Sequence, residues 1–173
     1  YTKKISEYIE KAAENKLMEA SSLHQKEFAQ IPEATFYKAL ERLCKNKKLV
    51  HLTNGLYYKP KESRFGRIPI SDKEIAKHYI DNSQGIIIGY RLYNEKKLTT
   101  QVGKNIEVLS NAVGSQRKTA GNVKIQKVSI KFTSENIPIV EPLEILQNYS
   151  KIQDVNTKAL ISYMTDFASK YSD

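Results

Sequence analysis

One cysteine, three histidines and five arginines are scarce entries in a chain of 173 residues, and each scarcity closes off chemistry. Cys44 stands alone, so no intrachain disulfide can form, which suits a reducing cytoplasm. It is expected to pack beside Leu40 and Leu43 and not to act as a nucleophile. His24, His51 and His78 fall on three separate predicted elements. Glu27 follows His24 by one turn, and Glu74 and Asp81 flank His78, but no second His or Cys joins either group, so no zinc site is expected. The chain lacks a phosphate-loop motif, a dinucleotide-binding glycine fingerprint and any serine or cysteine hydrolase signature. The expectation is a protein that is not an enzyme and needs no cofactor. No apolar run approaches the ~20 residues that cross a bilayer, and no signal-peptide pattern is present, so a cytoplasmic protein without membrane contact is expected. The chain opens at Tyr1 and not at methionine, so it is expected to begin downstream of the natural start.

Positive charge is not scarce. Net charge is +9 with a pI near 9.4, which favours polyanionic partners through counterion release. Its distribution is uneven: residues 1–65 carry a net +5, residues 85–135 a net +6, and residues 136–173 a net −2. A nucleic-acid surface could therefore span both basic segments while excluding the tail.

Residues 32–60, PEATFYKALERLCKNKKLVHLTNGLYYKP, give the clearest local reading. Phe36, Ala39, Leu40 and Leu43 recur at three- and four-residue steps and share one helical face. Thr35, Lys38, Arg42 and Lys45 fall on the other. Pro32 suits a first turn, and Glu33 complements the positive end of the helix. Lys45, Lys47 and Lys48 sit where cations favour its end. The apolar run 49–52, then Asn54-Gly55, then Leu56-Tyr57-Tyr58 predicts a hairpin closed by a type I′ turn with positive φ at both central residues.

Upstream, Ile5, Tyr8, Ile9, Ala12 and Ala13 predict a helix within 4–15, and Ser22 can cap a second over 23–30. Three helices followed by a hairpin are the element order of a winged helix-turn-helix, predicted over 1–60. In such domains the later helix enters the major groove. Thr35, Tyr37, Lys38 and Arg42 would lie nearest the base edges, with Arg42 suited to guanine, while Lys38 and Lys45 suit phosphate. The segment 61–70, KESRFGRIPI, is polar, basic and punctuated by Gly66 and Pro69, and reads as a basic linker or arm. Arg64 and Arg67 flank Phe65-Gly66 and could follow a minor groove or the backbone. The competing reading is a solvated linker with Phe65 tucked into a seam.

Residues 71–173 are predicted as a small mixed α/β domain, making the chain α+β overall. Ser71 and Glu74 form a capping box that opens a helix through Ile75, Ala76, Tyr79 and Ile80. The glycine-bounded run 85–89 predicts a buried strand, and 90–97 a helical turn or two. Short strands are expected at 101–102, 106–109, 123–125 and 128–132, with a basic loop or ragged hairpin over 111–122. Helices over 141–149 and after an Asn156 cap close the chain. Tyr57, Tyr58, Tyr90 and Tyr93 could stack on unpaired bases, but such tyrosines more often serve packing.

The string LERLCKNKKLVHLTNGLYYKPKESRFGRIP, then SDKEIAKHYI, then GYRLYNEKKLTTQVGKNIEVLSNAVGSQRK resembles the AbiEi-type antitoxins of abortive-infection (type IV) toxin-antitoxin systems, especially their short stand-alone relatives. The similarity runs from about residue 5 to about residue 150. It is most specific at Gly55 to Tyr58, at Arg64-Phe65-Gly66, and from Asn94 to Gln101. The resemblance implies a transcriptional autorepressor whose winged helix binds repeats in its own promoter, and whose C-terminal domain counteracts a nucleotidyltransferase-like toxin. By position it carries the recognition helix onto Thr35, Tyr37, Lys38 and Arg42, and the wing tip onto Thr53 and Asn54. The region after the winged helix is shorter than in full-length members, which separates toxin neutralisation from DNA binding as expectations. A monomer or weak dimer is expected, since two monomers can occupy neighbouring repeats.

Overall fold

In the computed structural model, which describes residues 1–171, the chain is α+β and divides into two compact units, Tyr1–Ile75 and Ala76–Asp173.

The first unit opens with helix α1 (Thr2–Lys11), strand β1 (Leu17–Glu19), and helices α2 (Ala20–Glu27) and α3 (Glu33–Lys45). Ile5 and Ile9 of α1, Phe28 and Ile31 of the α2–α3 turn, and Phe36, Ala39, Leu40 and Leu43 of α3 make one buried cluster. The predicted apolar stripe of α3 is thus its core face. Lys59 Nζ donates to Glu10 O at 2.7 Å and to Ala12 O at 3.3 Å, satisfying carbonyls that α1 leaves open at its end. His24 Nε2–H donates to Ile31 O at 2.7 Å and holds the turn into α3.

Strands β2 (Val50–Thr53) and β3 (Leu56–Tyr58) form the predicted hairpin, and β1 adds a third strand, in the order β1-β3-β2. The short β1 has no periodic signature in the sequence. Its pairing also moves α2: the helix starts directly after Glu19, with Ala20 N–H bonded to Gly55 O at 2.8 Å, so Ser22 lies inside the helix instead of capping it. The hairpin turn is not type I′. Gly55 takes φ 71°, Asn54 keeps a negative-side φ, and a bulge between His51 and Thr53 absorbs the mismatch.

Where the sequence predicts a linker, strands β4 (Lys61–Ser63) and β5 (Gly66–Ile68) pair antiparallel as a second hairpin. Its stem is fixed by polar bonds in place of apolar packing. Ser63 Oγ donates to Gly66 O at 2.7 Å and accepts from Phe65 N–H at 3.2 Å. Arg67 pairs with Glu62 at 2.9 Å and also donates to Lys47 O.

Helix α4 (Asp72–Ile80) begins at the expected capping box: Ser71 N–H and Oγ both reach Glu74 Oε2 at 2.8 Å. The second unit is built on strands β6 (Gly85–Ile88), β7 (Ile106–Ser110), β8 (Arg117–Ala120) and β9 (Val123–Lys127), ordered β6-β7-β9-β8, with only β7 and β9 parallel. Gly85 permits close approach, since a β-carbon there would strike the carbonyls of Leu109 and Tyr79.

Helices α5 (Gly89–Glu95), α6 (Ile137–Asn148) and α7 (Thr157–Tyr171) complete the unit around Leu92, Tyr93, Leu98, Ile145 and Ile152. Asn156 caps α7, its Oδ1 accepting from Ala159 N–H at 3.1 Å. Helix α6 starts earlier than predicted and keeps Pro142 in its interior. Two expected strands do not form, because asparagine side chains take their backbone groups. Asn111 bonds Ile130 O at 2.7 Å and Phe132 N–H at 2.8 Å across 128–132, and Asn94 Nδ2 bonds Thr99 O at 3.2 Å and Gln101 O at 3.5 Å. Among the described residues no helix is long and apolar enough to cross a membrane.

Candidate nucleic-acid interface

Four of the predicted contact residues are brought together by the pitch of α3. Thr35, Lys38, Arg42 and Lys45 line the flank opposite the core face; Thr35 is half-buried and the three cations are exposed. Tyr37 does not join them. Two residues on from Thr35, it is turned by about 200° around the helix and packs against the core, its ring edge-on to Phe36 at 5.6 Å between centroids.

Glu41 belongs to the same flank and was not among the predicted contacts. It pairs with Lys45 at 2.8 Å, and the hydrogen bond and charge of Lys45, reinforced by Arg42 and Lys38, hold its carboxyl below the ordinary range. The i, i+4 spacing of Glu41 and Lys45 is the sequence signal that could have revealed it. On the sheet side of α3, burial pushes the Cys44 thiol up, and Tyr57 is pushed up for the same reason. His51 and Tyr57, opposite each other across β2 and β3, stack at 4.6 Å.

The other predicted residues sit on the two hairpins. Thr53, half-buried, and exposed Asn54 lie at the tip of the β2–β3 hairpin. Exposed Arg64 and Arg67 lie on the β4–β5 hairpin, where Arg67 is committed to Glu62 and Lys47 while Arg64 lies over the Phe65 ring at 4.6 Å. Near the base of this hairpin Lys48 pairs with Glu10 at 2.7 Å, and that bond holds the Glu10 carboxyl below the ordinary range.

In the second unit a shallow cavity of about 270 Å³ opens on the sheet beside Glu107, Arg117, Lys124 and Gln126. Register places Glu107 against Lys124 and Gln126 against Arg117, so the surface mixes both signs. The Glu107 carboxylate closes over Gly89, where a β-carbon would collide with it. Among the described residues no group of three or more His, Cys, Asp or Glu side chains is placed to hold a metal ion.

The chain matches the model of DUF6088, a family of unknown function, over residues 4–160, and it belongs to that family. No curated protein matches it.

Proposed function

We propose that this member of the DUF6088 family is a DNA-binding transcriptional autorepressor, with its N-terminal unit acting as a winged helix-turn-helix. The observation that carries the reading is the flank of α3: Thr35, Lys38, Arg42 and Lys45 project from a helix whose opposite face is fixed in the core. The β2–β3 hairpin that follows α3, joined at its edge by β1, supports the winged arrangement, with Asn54 at its exposed turn. In this reading Thr35 and Arg42 face base edges, while Lys38 and Lys45 meet phosphates. Tyr37 buttresses the helix from the core side. A mobility shift with duplex DNA from immediately upstream of its own gene tests the proposal. Salt-sensitive binding there is expected, and folded protein that binds neither this DNA nor random duplex overturns it.

The antitoxin role rests on the resemblance to AbiEi-type proteins and belongs to the second unit. Leu143 and Leu146 of α6 and Ile161 of α7 are exposed large apolar side chains, which favours a protein partner for this region. Co-expression with the adjacent gene tests it: a toxic neighbour neutralised by this chain is expected, and a neighbour that is harmless, or equally toxic with the chain present, removes the antitoxin role.

A further inference from the structure

Nine consecutive residues, Lys61 to Pro69, are exposed, although they form an ordered hairpin. Isolated two-stranded hairpins are marginal in water, so this one depends on its attachments. They are specific: the Ser63 bonds close the tip, the Glu62–Arg67 pair braces the stem, and Arg67 ties the base to Lys47 O just beyond α3. The arm is held out from the core of the first unit and is not folded onto it.

At its tip stands Phe65, 85% exposed and the most exposed large apolar side chain described. An isolated exposed apolar side chain is ordinary on a protein surface, but a phenylalanine at the end of a braced arm is not isolated by accident of packing. Gly66 behind it takes φ 111°, a conformation that favours glycine and lets the tip close tightly. The guanidinium of Arg64 covers one face of the ring, a weak contact at an exposed site that is readily exchanged for a phosphate. Glu62 and Glu10 are taken up by Arg67 and Lys48, and Lys61 and Lys47 leave the surroundings of the arm net basic.

An apolar wedge flanked by cations matches the chemistry by which minor-groove proteins part a base step and bend the duplex. We propose that the β4–β5 hairpin is a DNA-kinking arm: Phe65 inserts between neighbouring base pairs from the minor groove, and Arg64 leaves the ring to meet the backbone. The inference rests on the DNA-binding reading given above, and adds to it a second contact and a deformation. It also assigns part of the sequence preference to flexible steps, which part at lower cost than stiff ones.

The test measures end-to-end distance by energy transfer on dye-labelled duplex from upstream of the gene, with wild type, Phe65→Ala and Phe65→Trp. Because the ring touches no core residue, all three are expected to fold alike by circular dichroism. Wild type and Phe65→Trp should bend the duplex by roughly 20–90°. Phe65→Ala should bind about tenfold more weakly and leave it nearly straight. If Phe65→Ala bends DNA as wild type does, the wedge is wrong while the DNA-binding reading stands. If wild type fails to bind any duplex, that reading falls and takes the wedge with it. Binding of wild type, but not Phe65→Ala, to vesicles rich in anionic lipid, with DNA bending unchanged, would assign the arm to a membrane surface and overturn the proposal.

Discussion

Tyr93 Oη donates to Glu144 Oε1 at 3.0 Å, joining α5 to α6 across 51 residues of sequence. Burial is the main force raising the Glu144 pKa, and the nearby Glu107 carboxylate adds to it, while the bonds from Tyr93, Asn148 and the Gly89 backbone oppose it. Tyr93 is itself pushed well above the ordinary phenol range, by burial and then by Glu144. Glu144 Oε2 is buried and has no hydrogen-bond partner among the described residues. A folded chain that holds this proton more tightly than the unfolded chain loses stability as pH rises from the ordinary glutamate range, near 4.5, through the raised folded pKa. Glu144→Gln should remove that component, so that denaturation midpoints of wild type fall with pH across this window while those of the variant stay flatter. Tyr93→Phe should cost about 1 kcal/mol through the lost bond and push the Glu144 transition higher still.

Ser71 and Glu74 act in the opposite sense. The backbone N–H of Ser71, then its hydroxyl, hold the Glu74 carboxyl below its usual value. That stability is present above pH 4.5 and is lost as pH falls through the lowered pKa. Ser71→Ala leaves Glu74 N–H without its 3.2 Å acceptor and should cost about 0.5–2 kcal/mol in chemical denaturation. An unchanged midpoint would show that the cap contributes nothing to α4.

Helices α3 and α5 end alike. Lys47 N–H bonds Cys44 O at 2.9 Å and Lys48 N–H bonds Leu43 O at 2.9 Å; Lys97 N–H bonds Asn94 O at 2.9 Å and Leu98 N–H bonds Tyr93 O at 2.8 Å. Both pairs require a left-handed residue, and lysine supplies it each time, at φ 61°. This position is normally glycine because a β-carbon is strained there. Lys97→Gly should therefore stabilise the chain by up to about 1 kcal/mol, read as a raised denaturation midpoint, and destabilisation would show that the lysine side chain has a contact of greater value.

These features divide by how far each depends on distant chain. The α3 stripe, the Ser71 box and the Asn156 cap are local and are legible as residue types at fixed spacings. Strand β1 is not, because three residues carry no period and pair only once β3 exists. The β4–β5 hairpin hides for another reason: its residues are exposed on both faces, so no apolar alternation marks KESRFGRI. Tyr37 illustrates a different limit, since proximity in sequence to Thr35 says little about shared direction on a helix. Asn94 and Asn111 replace expected strands by bonding backbone several residues away, and the Tyr93–Glu144 pair depends on a helix packing that no spacing encodes.

Glu41 offers the sharpest check on the α3 flank, because it is the one acid among Lys38, Arg42 and Lys45. Both partners of its bond to Lys45 are well exposed, and such a pair is screened by solvent and adds little to the helix. Glu41→Gln should accordingly fold as wild type does. If the flank faces DNA, the change removes a repelling charge and releases Lys45 to a phosphate, so affinity should rise several-fold at low salt and the salt dependence should steepen by about one counterion. Lys45→Ala should weaken binding to every sequence alike, whereas Arg42→Ala should relax preference at one base pair, a discrimination of about 1–3 kcal/mol. Titrations on upstream and random duplex at several salt concentrations separate these outcomes. Affinity that ignores Glu41→Gln would place the DNA on another surface of the unit.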